Sequence, residues 1–446
     1  MSLDTAQTLG PALTSVEQLI ETFHAAERPS GPLLLGLEHE KLMFPKGSAS
    51  PVPYEGPSGI NAVLAGFEHF GFEPFREAPG LPVIAMTRAG GETVSLEPGG
   101  QVELSGQPFQ TAREAHAENI NHLEQLNGIA ARLGLRVVAL GYRPFTSLED
   151  MPWMPKTRYR TMRESLGARG ALARNMMLMT ATGQASYDWR DEADCARKTV
   201  AAAKVAPILV ALYANSPLAE GRLTGYQSYR SRVWNEVDPA RCGYPLCMLD
   251  GTFSYAAYVD WALDAPLLFL RRDGQYLQPK LTFRQLMKQG WDGKPPTMND
   301  WTDHLSTLFP EVRLKKVIEI RSADCVGPAM TGGLAALMRG LLYDDTALDE
   351  VTHLLPPLSP REHLELHHAA QRDGLQAKLG SGTLADYARD MVEIAARGLS
   401  RLDPADAPLL QPLQAVAESR RAPALDVLEA WENEKRPEAF VGRFEI

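Results

Sequence analysis

The segment LLLGLEHEKLMF, residues 33–44, places four ionisable side chains inside an otherwise apolar run. A short apolar run of this kind is typical of a buried β-strand. Because alternate side chains of a strand share a face, Glu38 and Glu40 lie on one face, opposite His39 and Lys41. Charged groups are costly to bury unless another group compensates them. The two glutamates therefore need a partner.

The composition limits the classes of protein and of partner. The chain has 446 residues, is 44% hydrophobic and 22% charged, and carries a net charge of −10. This balance is typical of a globular protein and argues against nucleic acid as a partner. The longest apolar run, residues 200–217, is interrupted by Lys204 and Pro207 and predicts a buried helix, so we expect no membrane association.

The cysteines and the first residues predict the compartment. The opening MSLDTAQTLGP lacks the basic and apolar regions of a signal peptide. No CxxC pair occurs, and four cysteines in a chain of this length do not form a disulfide framework. We expect a cytoplasmic protein with buried free thiols, as a monomer or a homodimer. The four residues are Cys195, Cys242, Cys247 and Cys325.

Strands and helices interleave without a regular βαβ period, which favours an α+β fold with a mostly antiparallel sheet flanked by helices. The runs with strand character are residues 33–44, 93–105, 180–189 and 315–322. After about residue 328 nearly every segment has helical character. We therefore predict a catalytic core over residues 1–330 and a helical C-terminal region over residues 331–446, packed on that core as part of one domain.

Local signals predict where two helices begin. Ser15, followed by Gln18, is a candidate N-cap for an early helix. Ser359, Pro360 and Glu362 have the spacing of a capping box with proline at the first helical position. In that second helix, His363 and His367 are four residues apart without a third ligand nearby. We expect them on a solvated helix face rather than in a metal site.

Three further strands repeat the alternation of apolar and polar faces. Glu103 shares a face with Gln101 and Ser105, and the turn at residues 98–100 can fold Glu97 back toward it. Glu319 shares a face with Arg321, opposite Ile318 and Ile320. Gln184, Ser186 and Asp188 share a face in the same manner. If these strands form one sheet, five glutamates converge on one surface: Glu38, Glu40, Glu97, Glu103 and Glu319.

Clustered carboxylates repel one another and raise one another's pKa values unless a cation compensates them. Hard oxygen ligands with almost no Cys or His nearby suit Mg²⁺ or Mn²⁺ rather than zinc. Carboxylate sites for Mg²⁺ commonly handle nucleotide phosphates. The alternative is an amphipathic sheet whose charged face is simply solvated.

A second cluster is cationic. Guanidinium groups bind phosphates and carboxylates in a bidentate manner, so an ATP site and an amino-acid site are both compatible with it. The alternative is ordinary surface arginines that pair with the acidic excess. No P-loop, dinucleotide-binding or serine-hydrolase motif accompanies the cluster. Its members are Lys156, Arg158, Arg160, Arg163, Arg169, Arg174, Arg230 and Arg232.

Several motifs in one order resemble the glutamate–cysteine ligases of the plant and proteobacterial type. They are LGLEHEKLMF, SLEPGGQVELSG, MPKTRYRTM, ANSPLAEG, SYRSRVWNEVD, NDWTDHLSTLFPEVRLKKVIEIRSAD and GLLYDD. The resemblance covers roughly residues 30–345. It implies a glutamine-synthetase-like curved sheet and an ATP-dependent ligase that phosphorylates the γ-carboxylate of L-glutamate. The amine of L-cysteine then displaces phosphate, which is the first step of glutathione biosynthesis.

The resemblance also implies roles for individual residues. The five glutamates become Mg²⁺ ligands, and Arg321, beside Glu319, contacts the transferred phosphoryl group. Arg321 and Glu319 are the expected catalytic residues. Arg230 holds the glutamate α-carboxylate. Position 186 carries Ser where the family more often has Asn. Other residues expected to bind ATP or the amino-acid substrates are Lys156, Arg158, Arg163, Gln184, Asp188, Arg232 and Trp234.

Three rival functions fit parts of the pattern. A related carboxylate–amine ligase that joins glutamate to another amine would use the same acidic face. A catalytically inactive homologue would only bind a nucleotide or an amino acid as a sensor. Loss of a matched glutamate or of Arg321 would favour this function, and all of these residues are present. A metal-dependent hydrolase would usually show His among its ligands.

Overall fold

The computed structural model describes residues 10–446, so the prediction about a signal peptide lies largely outside the described residues. The strands, in chain order, are β1 (Leu35–Pro45), β2 (Glu73–Phe75), β3 (Ala85–Thr87), β4 (Thr93–Leu96), β5 (Val102–Ser105), β6 (Leu135–Val138), β7 (Gly183–Tyr187), β8 (Leu218–Ala219), β9 (Arg222–Leu223), β10 (Cys242–Gly243), β11 (Leu270–Arg272), β12 (Gln275–Leu277), β13 (Phe309–Pro310), β14 (Val312–Leu314), β15 (Ile318–Ile320), β16 (Lys378–Leu379) and β17 (Gly382–Thr383).

The α-helices, in the same order, are α1 (Glu17–His24), α2 (Ile60–Gly66), α3 (Ala112–Arg132), α4 (Thr157–Gly167), α5 (Ala173–Met179), α6 (Glu192–Leu212), α7 (Tyr229–Trp234), α8 (Tyr255–Asp264), α9 (Phe283–Gln289), α10 (Met298–Ser306), α11 (Pro328–Leu342), α12 (Asp345–Thr352), α13 (Pro360–Asp373), α14 (Leu384–Leu402), α15 (Gln411–Ser419), α16 (Pro423–Asn433) and α17 (Pro437–Gly442). Short 3₁₀ helices cover Phe67–Phe70, Leu246–Met248, Gly374–Gln376 and Pro404–Leu410.

One sheet organises the molecule. Its strand order is β14-β15-β7-β1-β5-β4-β3-β2, and β6 pairs with the end of β1. Every pair in this sheet is antiparallel. The predicted fold class, a mostly antiparallel sheet with flanking helices, is confirmed. Within residues 10–446 no helix combines the length and the apolar character that a bilayer-crossing segment needs.

The helices α3, α6 and α11 cover one face of the sheet, which we call the back face. On this face of β1, Leu37, His39 and Lys41 are at most 1% exposed. His39 lies 3.1 Å from the side chain of Asn119 in α3 and 3.1 Å from the carbonyl oxygen of Val326. Burial lowers the pKa of His39 to about 3, so the imidazole is neutral at pH 7. The back face therefore holds β1 by packing and by hydrogen bonds.

The residues after Pro328 are mainly helical. α11 begins at Pro328, packs on α3 and β7, and is in turn covered by α14. The capping box at Ser359 is present. At the N-terminus the helix begins at Glu17, with Val16 rather than Ser15 as N-cap, because Gln18 accepts hydrogen bonds from the preceding backbone N–H groups instead.

The expectation that His363 and His367 lie on a solvated helix face is wrong. They are 3% and 1% exposed. The reason is that α13 packs against α6 and α7 through this face. The Tyr244 hydroxyl and Nδ1 of His367 are hydrogen-bonded at 2.8 Å, which satisfies part of the buried imidazole.

Asp406 joins the C-terminal region to the core. Its carboxylate is fully buried and accepts hydrogen bonds from the backbone N–H groups of Ala112 and Arg113 at the start of α3. The same carboxylate pairs with Arg339 of α11 at 3.0 Å. A carboxylate at a helix N-terminus compensates both the free N–H groups and the helix dipole.

We expect Asp406→Ala to lower the free energy of unfolding by about 3–5 kcal/mol, because it leaves Arg339 buried without a counter-charge. Urea unfolding followed by circular dichroism measures this loss. The matched control is Glu365→Ala, which removes an exposed ion pair on α13 and should cost less than about 1 kcal/mol. Equal effects of the two substitutions would contradict this account of Asp406.

Candidate active site

The opposite face of the sheet, the front face, carries the predicted acidic residues. The strand register places Glu40 opposite Glu103 and Glu38 opposite Gln184. At the edge of the same sheet, Glu319 of β15 lies opposite Arg313 of β14. Backbone pairing across β5, β1, β7, β15 and β14 therefore places these side chains side by side on one face.

A cleft lies above this face, and its empty space, with the open solvent at its mouth included, is about 870 Å³. The wall residues come from the strands of the sheet, from the turn between β4 and β5, from α4, α5, α7 and α10, and from loops next to β11, β13 and β15. The side chains that line the cleft are Glu38, Glu40, Glu97, Pro98, Gln101, Glu103, Arg158, Tyr159, Met162, Met176, Met177, Thr180, Gln184, Trp234, Phe269, Ser306, Thr307, Phe309, Arg313, Lys315 and Arg321.

The carboxylates at one end of the cleft lack full compensation. Burial, together with Glu97 and Glu103, raises the pKa of Glu40 well above its usual range. Burial and the charges of Glu38 and Glu97 raise the pKa of Glu103 to about 8, although Ser95 donates a hydrogen bond to it at 2.9 Å. Burial also raises the pKa of Glu97, whose Oε1 has no hydrogen-bond partner among the described residues. This end of the cleft therefore favours a bound cation.

The other end of the cleft is cationic. Arg313 binds Glu319 with both nitrogen branches, through Nη2 at 2.7 Å and Nε at 3.0 Å. Lys315 and Arg321 reach the same carboxylate at 3.2 Å and 2.5 Å. Burial alone would raise the pKa of Glu319, but these three cations hold it well below its usual range. The arrangement leaves one negative charge among three positive ones, which suits an anionic ligand.

Gln184 connects the two ends. Its amide nitrogen donates to Glu38 at 3.3 Å, and its amide oxygen accepts from Arg321 at 2.6 Å. A single β7 side chain thus fixes an acidic and a basic group relative to each other.

The predicted cations of residues 156–163 divide between the cleft and its surroundings. Arg158 lines the cleft, and Lys156 lies at the N-cap of α4, where both charges counteract the rise in the pKa of Glu97. Arg163 points elsewhere and stacks on Trp153, with its guanidinium 4.9 Å from the ring centre. The helical step from Met162, which lines the cleft, turns Arg163 about 100° away.

Arg230, Arg232 and Trp234 belong to α7, and the structure separates them. Trp234 lines the cleft and lies under Arg321, whose guanidinium is 5.5 Å from the ring centre. Arg230 is 3% exposed and lies behind the wall, where it donates to the backbone oxygen of Arg321 at 3.0 Å. Arg232 faces away and pairs with Glu236 at 2.9 Å.

Asp188 lies outside the cleft. It follows the end of β7 and accepts a hydrogen bond from the backbone N–H of Leu34, and it pairs with Arg28 at 2.5 Å. It lies four residue steps along the chain from Gln184, which corresponds to about 13 Å in extended strand geometry. Sharing a face with Gln184 therefore does not bring Asp188 to the same site.

Arg313 and Lys315 are cleft residues that the sequence pattern did not single out. They belong to the segment EVRLKKVIEIR, in which they alternate with apolar residues two positions apart. The tight hairpin of β14 and β15 pairs Arg313 with Glu319. Recognising that hairpin would have placed both cations on the face that carries Glu319 and Arg321.

The oxygen donors that could hold a metal ion are Glu38, Glu40, Glu97 and Glu103. Across residues 10–446, no three His, Cys, Asp or Glu side chains are grouped closely enough to enclose an ion. Glu319 is engaged by its three cations and is not free to join the four donors. The all-oxygen donor set and the raised pKa values of Glu40, Glu97 and Glu103 fit a hard divalent cation such as Mg²⁺ or Mn²⁺.

Comparison with known proteins identifies the family. The model of glutamate–cysteine ligase family 2 matches residues 34–438. This chain belongs to that family. The ligase of Brassica juncea, described as chloroplastic, is 37% identical over 404 residues, which are 90% of this chain and 78% of that protein. The chloroplastic ligase of Arabidopsis thaliana is 36% identical over 422 residues, 94% of this chain and 80% of that protein.

A solved structure shares the fold of this family member. The glutamate–cysteine ligase of Francisella tularensis, crystallised in complex with AMP, superimposes with a TM-score of 0.59 at 13% identity. The match covers 94% of this chain and 88% of that one. The family resemblance predicted from the sequence motifs is confirmed.

We expect Glu103→Gln to stabilise the metal-free protein at pH 8 by roughly 2 kcal/mol, because it removes a carboxyl group whose ionisation the folded state opposes and the unfolded state allows. A pKa raised on folding means that the folded state retains its proton while the unfolded state ionises. Stability of the wild type should therefore fall as the pH rises from about 4.5 to about 8.

Thermal unfolding in EDTA at several pH values measures this slope. Glu103→Gln should flatten it, and Glu432→Gln, an exposed position on α16, should leave it unchanged. A steeper slope in Glu103→Gln than in the wild type would contradict the assignment.

Proposed function

We propose that this chain joins the γ-carboxylate of L-glutamate to the amine of L-cysteine at the expense of ATP, and so catalyses the first step of glutathione biosynthesis. The observation that carries the proposal is a single cleft with incompletely compensated carboxylates at one end and three cations at the other. Membership of the glutamate–cysteine ligase family supplies the reaction.

The reaction requires two anions to meet. A carboxylate is a poor electrophile, so transfer of the γ-phosphoryl group of ATP to the glutamate γ-carboxylate first forms an acyl phosphate. The amine nitrogen then forms the amide bond as the bond to phosphate breaks. Arg321, Arg313 and Lys315 are placed to stabilise the negative charge of the transferring group. Their fixed positions around Glu319 mean that little reorganisation is needed during the transfer.

Glu38, Glu40, Glu97 and Glu103 would hold Mg²⁺ or Mn²⁺, which neutralises phosphate charge when bound. Glu319 was expected to be both a metal ligand and a catalytic residue. Its engagement by Arg313, Lys315 and Arg321 favours a role in holding these cations. The fold shared with a ligase crystallised with AMP supports a nucleotide as one occupant.

Binding roles for the remaining predicted residues follow from their positions. Arg158, Gln184 and Trp234 line the cleft and can touch a substrate directly. Arg230 and Lys156 are nearly fully buried and act on the site through their charge and through their neighbours. Assignment of Arg230 to the glutamate α-carboxylate requires that the substrate reach behind Arg321.

The proposal includes a cytoplasmic location and a monomeric or homodimeric state. All four cysteines are buried and free, which supports a reducing compartment. No nucleic-acid partner is proposed, because the chain carries a net charge of −10.

The decisive experiment measures ADP release with Mg-ATP and L-glutamate across a panel of amines. We expect L-cysteine to stimulate release most strongly, with γ-glutamylcysteine detected by mass spectrometry. Absence of stimulation by every amine would refute the ligase proposal. Stronger stimulation by another amine would make the chain a related carboxylate–amine ligase instead.

We expect Glu319→Gln to lower kcat by about 100-fold or more, because the three cations lose the charge that positions them. Circular dichroism should show that the variant remains folded. Glu319→Asp keeps the charge and should retain more activity than Glu319→Gln. The surface substitution Glu393→Gln on α14 should have wild-type kinetics. A wild-type kcat in Glu319→Gln would show that Glu319 has no role in catalysis.

A further inference from the structure

The helix α7 supplies part of the cleft wall but is only six residues long. A helix of this length is not stable by itself, so its position depends on the groups packed around it. Its last residue, Trp234, lies under Arg321, and Arg230 donates to the Arg321 backbone. Any shift of α7 therefore moves the surroundings of the arginine assigned to the phosphoryl group.

Gln371 of α13 makes the most hydrogen bonds from the C-terminal region to α7 and the residues next to it, and His367 Nε2 of the same helix lies 3.3 Å from Ser231 Oγ. The backbone oxygen of Gln371 accepts hydrogen bonds from the N–H groups of Gln227 and Ser228, at 2.9 Å and 3.0 Å, immediately before α7. Its side-chain nitrogen donates to Ser231 Oγ at 3.0 Å, and its side-chain oxygen accepts from Asn235 at 3.3 Å. Gln371 thus contacts α7 before its first residue, in its middle and after its last residue.

Neighbouring contacts strengthen this connection. Gln371 is fully buried, so both ends of its amide need partners, and both find them on or next to α7. Gln227 also donates to the backbone oxygen of Asp373 at 3.0 Å. The adjacent Gly374 has φ of 55°, and a Cβ there would lie 2.1 Å from Oε1 of Gln227. The end of α13 is therefore closely fitted to the segment that leads into α7.

We propose that Gln371 is a positioning residue for the active site, acting through α7 on Trp234 and Arg230. The kinetic part of this inference rests on the proposed ligase function, whereas the mechanical part does not. This proposal gives the helical region 331–446 a part in catalysis, although none of the side chains of that region line the cleft.

Gln371→Met keeps the size of the side chain and removes both side-chain hydrogen bonds. We expect kcat/KM for L-glutamate to fall roughly tenfold, because small displacements of positioned groups slow reactions strongly. The KM for Mg-ATP and the melting temperature should change little beyond those of the control. Gln371→Glu keeps the acceptor for Asn235 and can accept from the Ser231 hydroxyl instead of donating to it, so it should restore part of the activity.

The matched control is Ser359→Ala, which removes the N-cap of the same helix and lowers the melting temperature modestly without touching α7. Hydrogen–deuterium exchange gives a readout independent of activity. Residues 227–235 should exchange faster in Gln371→Met than in wild type or in Ser359→Ala. This expectation holds even if the wild type releases no ADP, an outcome that would refute the ligase function alone.

A double-mutant cycle that combines Gln371→Met with Ser231→Ala tests whether Gln371 acts on α7 through Ser231. If Gln371 acts through Ser231, the second substitution should add little to the first. Unchanged exchange of residues 227–235 in Gln371→Met would overturn the proposal, and so would kinetic losses equal to those of Ser359→Ala.

Discussion

The pairing register of β1 determines what the cleft contains. Antiparallel pairing with β5 and β7 places Glu38 and Glu40 on the front face, beside Glu103 and Gln184. A slip by one residue would turn the glutamates into the core and present His39 and Lys41 to the cleft instead. The back face prevents such a slip, because Leu37 and its neighbours are packed against helices. The apolar core therefore fixes the chemistry of the opposite face.

That register produces a cleft in which charges are segregated rather than paired. Three cations share Glu319 at one end, while the pKa values of Glu40, Glu97 and Glu103 are raised at the other. A protein selected only for stability would pair these groups with one another. Segregation at a cost in stability is typical of a site that binds ligands of both signs. Metal-bound nucleotide and an amino-acid carboxylate are ligands of this kind.

The sequence predicted most of the sheet and the acidic face because both follow from a period of two along the chain. It identified the strands that carry Glu38, Glu103, Gln184 and Glu319, but it missed short strands such as β14, whose pairing depends on distant contacts. Alternation reports only which face a side chain lies on, so it grouped Asp188 with Gln184 although the spacing of four residues places them about 13 Å apart along the strand. It also could not tell that His363 and His367 are covered, since burial of a polar helix face depends on tertiary packing.

The central claim is that the cleft activates a carboxylate by phosphorylating it. The most direct test supplies L-glutamate whose γ-carboxylate carries oxygen-18, together with Mg-ATP and L-cysteine, and analyses the phosphate released. An acyl phosphate intermediate transfers one labelled oxygen to phosphate when the amine displaces it. The account predicts one labelled oxygen in each phosphate formed with γ-glutamylcysteine. Product formed with unlabelled phosphate would contradict it.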